Sequence, residues 1–173
     1  DGAIRKERHS PERVVSEQIR EILEDSRQRI WFGTFDGLQV YNPYTDEYQV
    51  YHSDKYPGSI THSSVFSLYK DKQGTIWIGS YYGGVNYFNQ KKDVFKFYPA
   101  NLSSASCLNF PIVGQIIEDR EHDLWICTDG GGVNRLHRDS GTFTYYTAGD
   151  GSNSILHDNV KSIAYDERRD CIY

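Results

Sequence analysis

The stretch "GTIWIGSYYGGVNYFN", residues 74–89, decides the fold of this 173-residue chain. Trp77 stands between two isoleucines, two tyrosines and a Gly-Gly pair follow, and hydrophobic alternation then resumes. Alternation with a period of two residues indicates a β-strand, and glycines between two such runs indicate a tight bend. The stretch therefore predicts two antiparallel strands joined by a bend.

The same pattern occurs at intervals along the chain. The tryptophans are 46 and 48 residues apart, and an aspartate lies six residues before each of them. A fourth copy starts at Val160, with Asp166 in register. The repeated residues, which we interpret as structural, are Trp31, Trp77, Trp125, Asp25, Asp71 and Asp119.

Each copy reads as four short strands, which is the sequence signature of a propeller blade. We predict an all-β fold, a partial β-propeller of about three and a half four-stranded blades. Residues 1–9 are predicted to be the last strand of a preceding blade. The predicted blades are 14–51, 61–98 and 112–147, with the start of a fourth at 155–173.

Composition excludes several classes of function. The net charge is −5, and no Lys/Arg run exceeds two residues, so we expect no nucleic-acid partner. No apolar run is long enough to cross a bilayer, and a start at Asp1 fits a piece of a longer protein. The three cysteines have neither disulfide-framework nor zinc-site spacing. Cys127 aligns with Gly33 and Gly79, so we expect it to be a small buried residue.

Local roles follow from the repeat. Each aspartate precedes a hairpin turn, where its carboxylate is expected to accept hydrogen bonds from nearby backbone amides as an Asx-turn. Each tryptophan is expected to pack between neighbouring sheets. His62 and His157 occupy equivalent positions and are expected to stabilise their blades. No histidine pair has metal-ligand spacing, so we expect no bound metal.

The strings "VFSLYKDKQGTIWIGSYYGGVNYFN" and "VGQIIEDREHDLWICTDGGGVNRLHRDSGTFTYY" resemble the two-component regulator propeller repeat. This resemblance implies a seven-bladed propeller in the periplasmic sensor region of a hybrid two-component system histidine kinase of the Bacteroidetes type. It also implies recognition of oligosaccharides and regulation of polysaccharide-utilisation genes. Kinase, receiver and DNA-binding domains would lie elsewhere in the parent protein, which alone would provide contact with the membrane. No catalytic activity and no cofactor are expected in this chain.

Topology predicts where a ligand binds. In a blade of four antiparallel strands, the bend between the second and third strands and the connection to the next blade emerge on the same face. These are the segments that vary between copies, and functional residues concentrate on such loops. Aromatic rings beside carboxylates suit sugars. The predicted ligand-binding residues are Phe35, Asp36, Tyr56, Tyr81, Tyr82 and Asp129. The same face is predicted to hold His52, Asp54, Asn101 and Asn109.

Two alternatives remain open at this point. The loop aromatics would equally serve a protein-interaction propeller, and Tyr81 and Tyr82 would then only pack between blades or against a neighbouring domain. A glycosidase is less favoured: "DKQGTIW" loosely resembles the Asp-box turn of sialidase propellers, but no acid and nucleophile pair converges. Unpaired strand edges of an incomplete ring also predict a homodimer of the isolated chain.

Overall fold

The computed structural model describes residues 16–54, 59–90, 94–101, 104–151 and 154–173. All of the regular elements in these residues are β-strands. They form three four-stranded antiparallel sheets and one two-stranded sheet. No helix in the described ranges is long and apolar enough to span a membrane. The prediction of an all-β, partial propeller is confirmed, whereas the strand predicted at residues 1–9 lies outside the described residues.

The strands of each sheet follow one another in sequence order. Blade one contains β1 (Ile19–Glu24), β2 (Ile30–Thr34), β3 (Gly37–Asn42) and β4 (Glu47–Tyr51). Blade two contains β5 (Val65–Lys70), β6 (Ile76–Ser80), β7 (Val85–Asn89) and β8 (Val94–Tyr98). Blade three contains β9 (Val113–Glu118), β10 (Leu124–Thr128), β11 (Val133–His137) and β12 (Thr142–Tyr146). A shorter fourth sheet pairs β13 (Tyr165–Asp166) with β14 (Cys171–Ile172).

Apolar side chains between successive sheets form the core. One cluster joins Trp31 and Val40 of blade one to Ile78 and Phe88 of blade two. The next cluster joins Trp77 to blade three in the same way. The first strands of successive blades also contact each other, with β1 against β5 and β5 against β9. The first strand is therefore the innermost strand of each blade.

The repeated aspartate forms the expected turn and also binds the repeated tryptophan. Asp25 Oδ1 accepts hydrogen bonds from the backbone N–H groups of Arg27 and Arg29, at 2.8 and 3.0 Å. Its Oδ2 accepts a hydrogen bond from the indole N–H of Trp31 at 2.8 Å. Asp71 and Asp119 make the same three bonds, at 2.8–3.0 Å. One carboxylate thus fixes both the hairpin turn and the ring that packs against the next blade.

An arginine completes this arrangement in each of the three blades, but its source differs. Arg29 comes from the turn itself, Arg135 from β11 of the same blade, and Arg138 reaches Trp77 of blade two from blade three. Each guanidinium carbon lies 5.1–5.5 Å from the centre of the tryptophan ring. Each guanidinium also pairs with the blade's aspartate, at 2.7, 3.2 and 2.8 Å respectively.

Cys127 fills a position that must be glycine in blade two. A Cβ atom on Gly79 would lie 2.6 Å from Val113 Cγ1, which is closer than real contacts allow. Cys127 is fully buried, and its neighbour on the first strand of the same blade is Gly114, where an added Cβ would lie 3.6 Å from the Cβ of Cys127. Burial raises the pKa of the Cys127 thiol to about 12, so the side chain is a small neutral packing group at physiological pH.

The face of blade one that points away from blade two, which we call its open face, is exposed on its first and last strands and buried at Gln39 between them. Register places Ile22, Phe32, Gln39 and Val50 in one row across this sheet. Ile22 is 57% exposed and Val50 is 40% exposed. The equivalent faces of blades two and three are covered by the tryptophan-bearing face of the blade before them. Blade one therefore presents exposed apolar side chains on the first and last strands of a face that another blade could cover.

Candidate functional site

The bends between the second and third strands and the connections between blades share one face, as the topology predicts. In blade two, Asn86 is buried and its side chain exchanges hydrogen bonds with Thr61, at 3.0 and 2.7 Å. Thr61 Oγ1 in turn donates to the Gly83 carbonyl at 2.7 Å. The connection is thereby fastened to the bend, which gives this face a rigid base.

Blade three repeats this fastening with a different residue. Asn109 takes the place of Thr61, exchanges hydrogen bonds with Asn134 at 2.9 and 2.8 Å, and donates to the Gly131 carbonyl at 2.7 Å. The amide of Asn109, which the sequence placed among the ligand-facing residues, is therefore engaged in holding the loops together.

Four aromatic side chains and one arginine form a continuous surface on this face, which we call the aromatic ledge. The guanidinium carbon of Arg20 lies 5.3 Å from the ring centre of Phe35 and 3.9 Å from that of Phe66. Tyr81 packs 5.5 Å from Phe66, and Tyr82 meets Tyr81 edge-on at 4.6 Å. The ledge runs from the bend of blade one to the bend of blade two.

The aromatic rings at the two ends of the ledge are more exposed to solvent than the rings between them. Phe35 is 54% exposed and Tyr82 is 60% exposed, whereas Tyr81 is 38% exposed and also contacts the His62 ring. Tyr82 has a φ of 63°, a left-handed conformation that is unusual for a bulky residue. Such outliers cluster at functional sites.

A β-bulge in the first strand directs two side chains onto the ledge. In blade one, Ile19 pairs with Thr34 and Glu21 pairs with Gly33, so Arg20 is the extra residue. In blade two, Phe66 is the extra residue between Val65 and Ser67. A bulge leaves its residue unpaired and re-aims the side chain. Both residues lie in strands and not in the loops, so neither was among the predicted ligand-binding residues.

A repeat-based signal for these residues did exist. The position after the β-branched residue that opens each copy is Arg20, Phe66, Gly114 and Lys161 in turn. The residue type at this position differs from copy to copy, as it does at the bend that holds Tyr81 and Tyr82. Positions that vary within a repeat are those whose side chains are not needed to fold the blade.

A cavity of about 480 Å³ adjoins the ledge along the inner strands of blades two and three. Phe66 lines both features. Asp129 and Lys161 lie at the rim and form an ion pair at 2.8 Å. The predicted Asp129 therefore belongs to this cavity.

The remaining predicted residues are placed as follows. Asp36 is exposed on the bend of blade one, where its backbone N–H bonds Thr34 Oγ1 at 3.2 Å. Among the described residues, no hydrogen bond or ion pair joins Asp36 or Asp129 to either tyrosine. Tyr56 lies outside the described residues. His62 and His157 each accept a backbone N–H two residues on through Nδ1, both at 3.0 Å, which is a turn-stabilising role.

One cluster of carboxylates lies on the opposite face. Asp119, Glu121 and Asp123 bring oxygen atoms within 4.8 Å of one another. Arg135 lies among them, 2.6 Å from Glu121 and 2.9 Å from Asp123. The guanidinium contacts all three carboxylates and so takes the place that a cation would occupy, and we interpret the cluster as a structural ion-pair network.

The fold and this face define the class of protein: a repeat-built β-propeller whose loop face carries an aromatic ledge. Residues 14–36 and 59–82 match the family model of the two-component regulator propeller. The match to these two segments confirms the resemblance seen in the sequence. None of the curated proteins compared with the chain matches it.

Solved structures share the fold. The extracellular domain of the putative hybrid two-component system BT3049 from B. thetaiotaomicron has a TM-score of 0.82 and 22% identity, over 91% of this chain and 22% of that one. The extracellular domain of the putative one-component system BT4673 from the same organism has a TM-score of 0.69 and 22% identity, over 91% and 20%. The chain spans about a fifth of the length of these domains.

More distant propellers also match. An auxiliary nutrient binding protein from Bacteroides thetaiotaomicron has a TM-score of 0.55 and 16% identity, over 85% of this chain and 42% of that one. At these identities the likeness shows the fold alone.

Proposed function

We propose that this chain is a ligand-sensing propeller segment of a hybrid two-component sensor histidine kinase and response regulator, located in the periplasm. Its ligand is an oligosaccharide, and binding regulates genes for polysaccharide utilisation through kinase and DNA-binding domains elsewhere in the parent protein. The observation that carries the proposal is the aromatic ledge on a propeller with regulator repeats.

The comparisons support a regulatory, sensory role for the chain. The matched repeat is that of two-component regulators. The two similar extracellular domains belong to a putative hybrid two-component system and a putative one-component system. Both comparisons favour a non-catalytic regulatory domain outside the cytoplasm. Other blades and domains of the parent protein would then be its partners, with one blade covering the open face of blade one.

The class of ligand is supported by the ledge. Sugars present CH faces that pack on aromatic rings and hydroxyl groups that need paired donors and acceptors. Phe35 and Tyr82 offer exposed rings at the two ends, and the exposed carboxylate of Asp36 lies on the same bend as Phe35. The ledge spans two rigidly stacked blades, so it can bind a chain of several sugar units.

Calorimetric titration with a panel of oligosaccharides, preceded by a glycan-array screen, tests this proposal. The Tyr82→Ala variant is expected to weaken binding by about 30-fold, since truncating an aromatic anchor typically costs about 2 kcal/mol or more. Tyr44→Ala is the matched control, because Tyr44 is 70% exposed on the opposite face. Sugar binding that survives Tyr82→Ala unchanged would place the site elsewhere.

A protein-interaction propeller is the alternative. It is favoured by the exposed Phe35 and Tyr82 and by one structural neighbour, YCF48, which is described as bound to D1 peptide. Binding of peptides but of no sugar in the same titrations would favour this alternative. Measurable turnover of a glycan, dependent on one carboxylate, would instead indicate a glycosidase.

The isolated chain is also proposed to form a homodimer. The open face of blade one carries the exposed apolar side chains of Ile22 and Val50, and a second copy can cover it with the same face by two-fold symmetry.

A further inference from the structure

We propose that Arg20 binds a negatively charged group on the sugar, so that the ligand is an acidic oligosaccharide carrying a carboxylate or a sulfate. This inference rests on the proposed function and adds the chemical class of its ligand. The observation that carries it is a guanidinium held between two aromatic rings, with no acidic partner among the described residues.

The backbone fixes the place of this arginine. Arg20 is the extra residue of the bulge in β1, so its side chain is not committed to either packed face of the sheet. Phe66 is the extra residue of the equivalent bulge in β5. The two bulges bring Arg20 and Phe66 together, although they belong to different blades.

Stacking leaves the binding edge of the guanidinium free. Arginine contacts aromatic rings through its planar face, whereas its N–H donors point outward in the plane. The rings thus hold the group in place without using its hydrogen bonds. A planar fork in a fixed position is suited to a carboxylate or sulfate, which accepts two parallel hydrogen bonds from it.

The other charges on this face make Arg20 distinctive. Lys161, the cation at the equivalent position of the fourth copy, is paired with Asp129 at 2.8 Å. By contrast, none of the described acidic side chains forms an ion pair with Arg20. The chain as a whole is acidic, with a net charge of −5, so general attraction of anions cannot supply the preference. Any preference for an acidic sugar must come from this local group.

Neighbouring rings supply the rest of the site. Phe35 and Tyr82 are exposed on either side of the pair formed by Arg20 and Phe66. A sugar whose ring packs on one of these aromatic groups can place its charged substituent at the guanidinium. The charge of Arg20 then selects the acidic sugar unit at the centre of the ledge, and the neighbouring sugar units stack on the rings of Phe35 and Tyr82.

Calorimetric titration of the full chain at pH 7 with three probes tests the inference: trigalacturonate, a sulfated heparin tetrasaccharide, and neutral galactotriose. At least one acidic probe is expected to bind more tightly than galactotriose. Arg20→Gln is expected to weaken that acidic probe by about 10- to 100-fold, as for loss of a hydrogen bond to a charged group, and to leave galactotriose unchanged. The acidic probe that responds distinguishes carboxylate from sulfate.

Two further variants make the result specific. Arg168→Gln removes the same charge from an exposed position on the opposite face and is expected to leave all three affinities unchanged. Arg20→Lys keeps the positive charge but lacks the planar N–H donors of the guanidinium, so we expect a loss of affinity for the acidic probe that is smaller than that of Arg20→Gln. This variant also replaces Arg20→Gln as the comparison if thermal melting shows that Arg20→Gln is unfolded.

Two outcomes would overturn the inference, and they differ in what they say about the proposed function. If galactotriose binds as tightly as the acidic probes and Arg20→Gln does not discriminate between them, the charge preference is wrong while sugar sensing stands. If no probe binds and the glycan screen is negative, both fail together.

Discussion

Tyr82 combines an exposed ring with a backbone conformation that tyrosine rarely adopts. Its φ is 63°, whereas the aligned residue of blade three is Gly130. A left-handed conformation costs an L-residue roughly 1–2 kcal/mol, so the ring is kept here at the expense of local strain. A side chain retained under strain on an exposed bend is expected to have a role outside the fold.

Comparison of two substitutions measures this strain. Tyr82→Gly and Tyr82→Ala both remove the ring, but only glycine relieves the backbone, so Tyr82→Gly is expected to be more stable by about 1 kcal/mol. Urea unfolding of both variants checks the difference. Both should bind sugar equally poorly, and a more stable alanine variant would contradict the assignment of strain.

Some residues of the aromatic ledge were among those predicted from the sequence, and others were not, for a physical reason. Tyr81 and Tyr82 were found because they depart from a repeat whose other members are fixed by packing and turns. Arg20 and Phe66 were missed because alternation assigns every strand residue to one of two faces. A bulge inserts a residue that belongs to neither face, and alternation alone does not reveal it.

The hairpin turn with its aspartate is the element that makes each blade rigid. Burial raises the pKa of Asp25, but hydrogen bonds from Trp31, Arg29 and Arg27 outweigh it, and the pKa lies below the ordinary value of 3.8. The carboxylate therefore contributes stability that is fully present above the unfolded-state pKa and is lost as the pH falls through the folded-state pKa.

Asp25→Asn is the test of this element. The variant is expected to lose about 1.5–3 kcal/mol of unfolding free energy at pH 7, because bonds to a charged group are weakened. Its stability should also fall less than that of the wild type below about pH 4. Urea midpoints at several pH values measure both effects. Asp150→Asn, at an exposed position, should follow the wild-type curve.

The strands themselves were readily predicted from sequence, since alternation and turn residues repeat in every copy. The indole bond to the aspartate was not, although the constant spacing of six residues between Asp and Trp holds the signal. The arginines that flank the tryptophans have no such spacing, because Arg29, Arg135 and Arg138 come from three different places in a blade.

At the scale of the whole molecule, the open face of blade one is the surface that we propose mediates self-association of the isolated chain. Ile22→Glu is expected to raise the dimer dissociation constant on the order of 100-fold, since association would bury an unpaired charge. Leu156→Glu, at a fully exposed site away from this face, is the control. Sedimentation equilibrium measures both, and a wild-type chain that remains monomeric at high concentration would contradict the proposal.

The mixed origin of the arginines limits how such a protein can change by gene duplication. The Trp77 ring of blade two depends on Arg138, which blade three contributes. A duplicated DNA segment that encodes blade two alone would lack Arg138, so its tryptophan would have no arginine packed against the ring. For blade two, a duplication that preserves the tryptophan site must therefore include part of blade three.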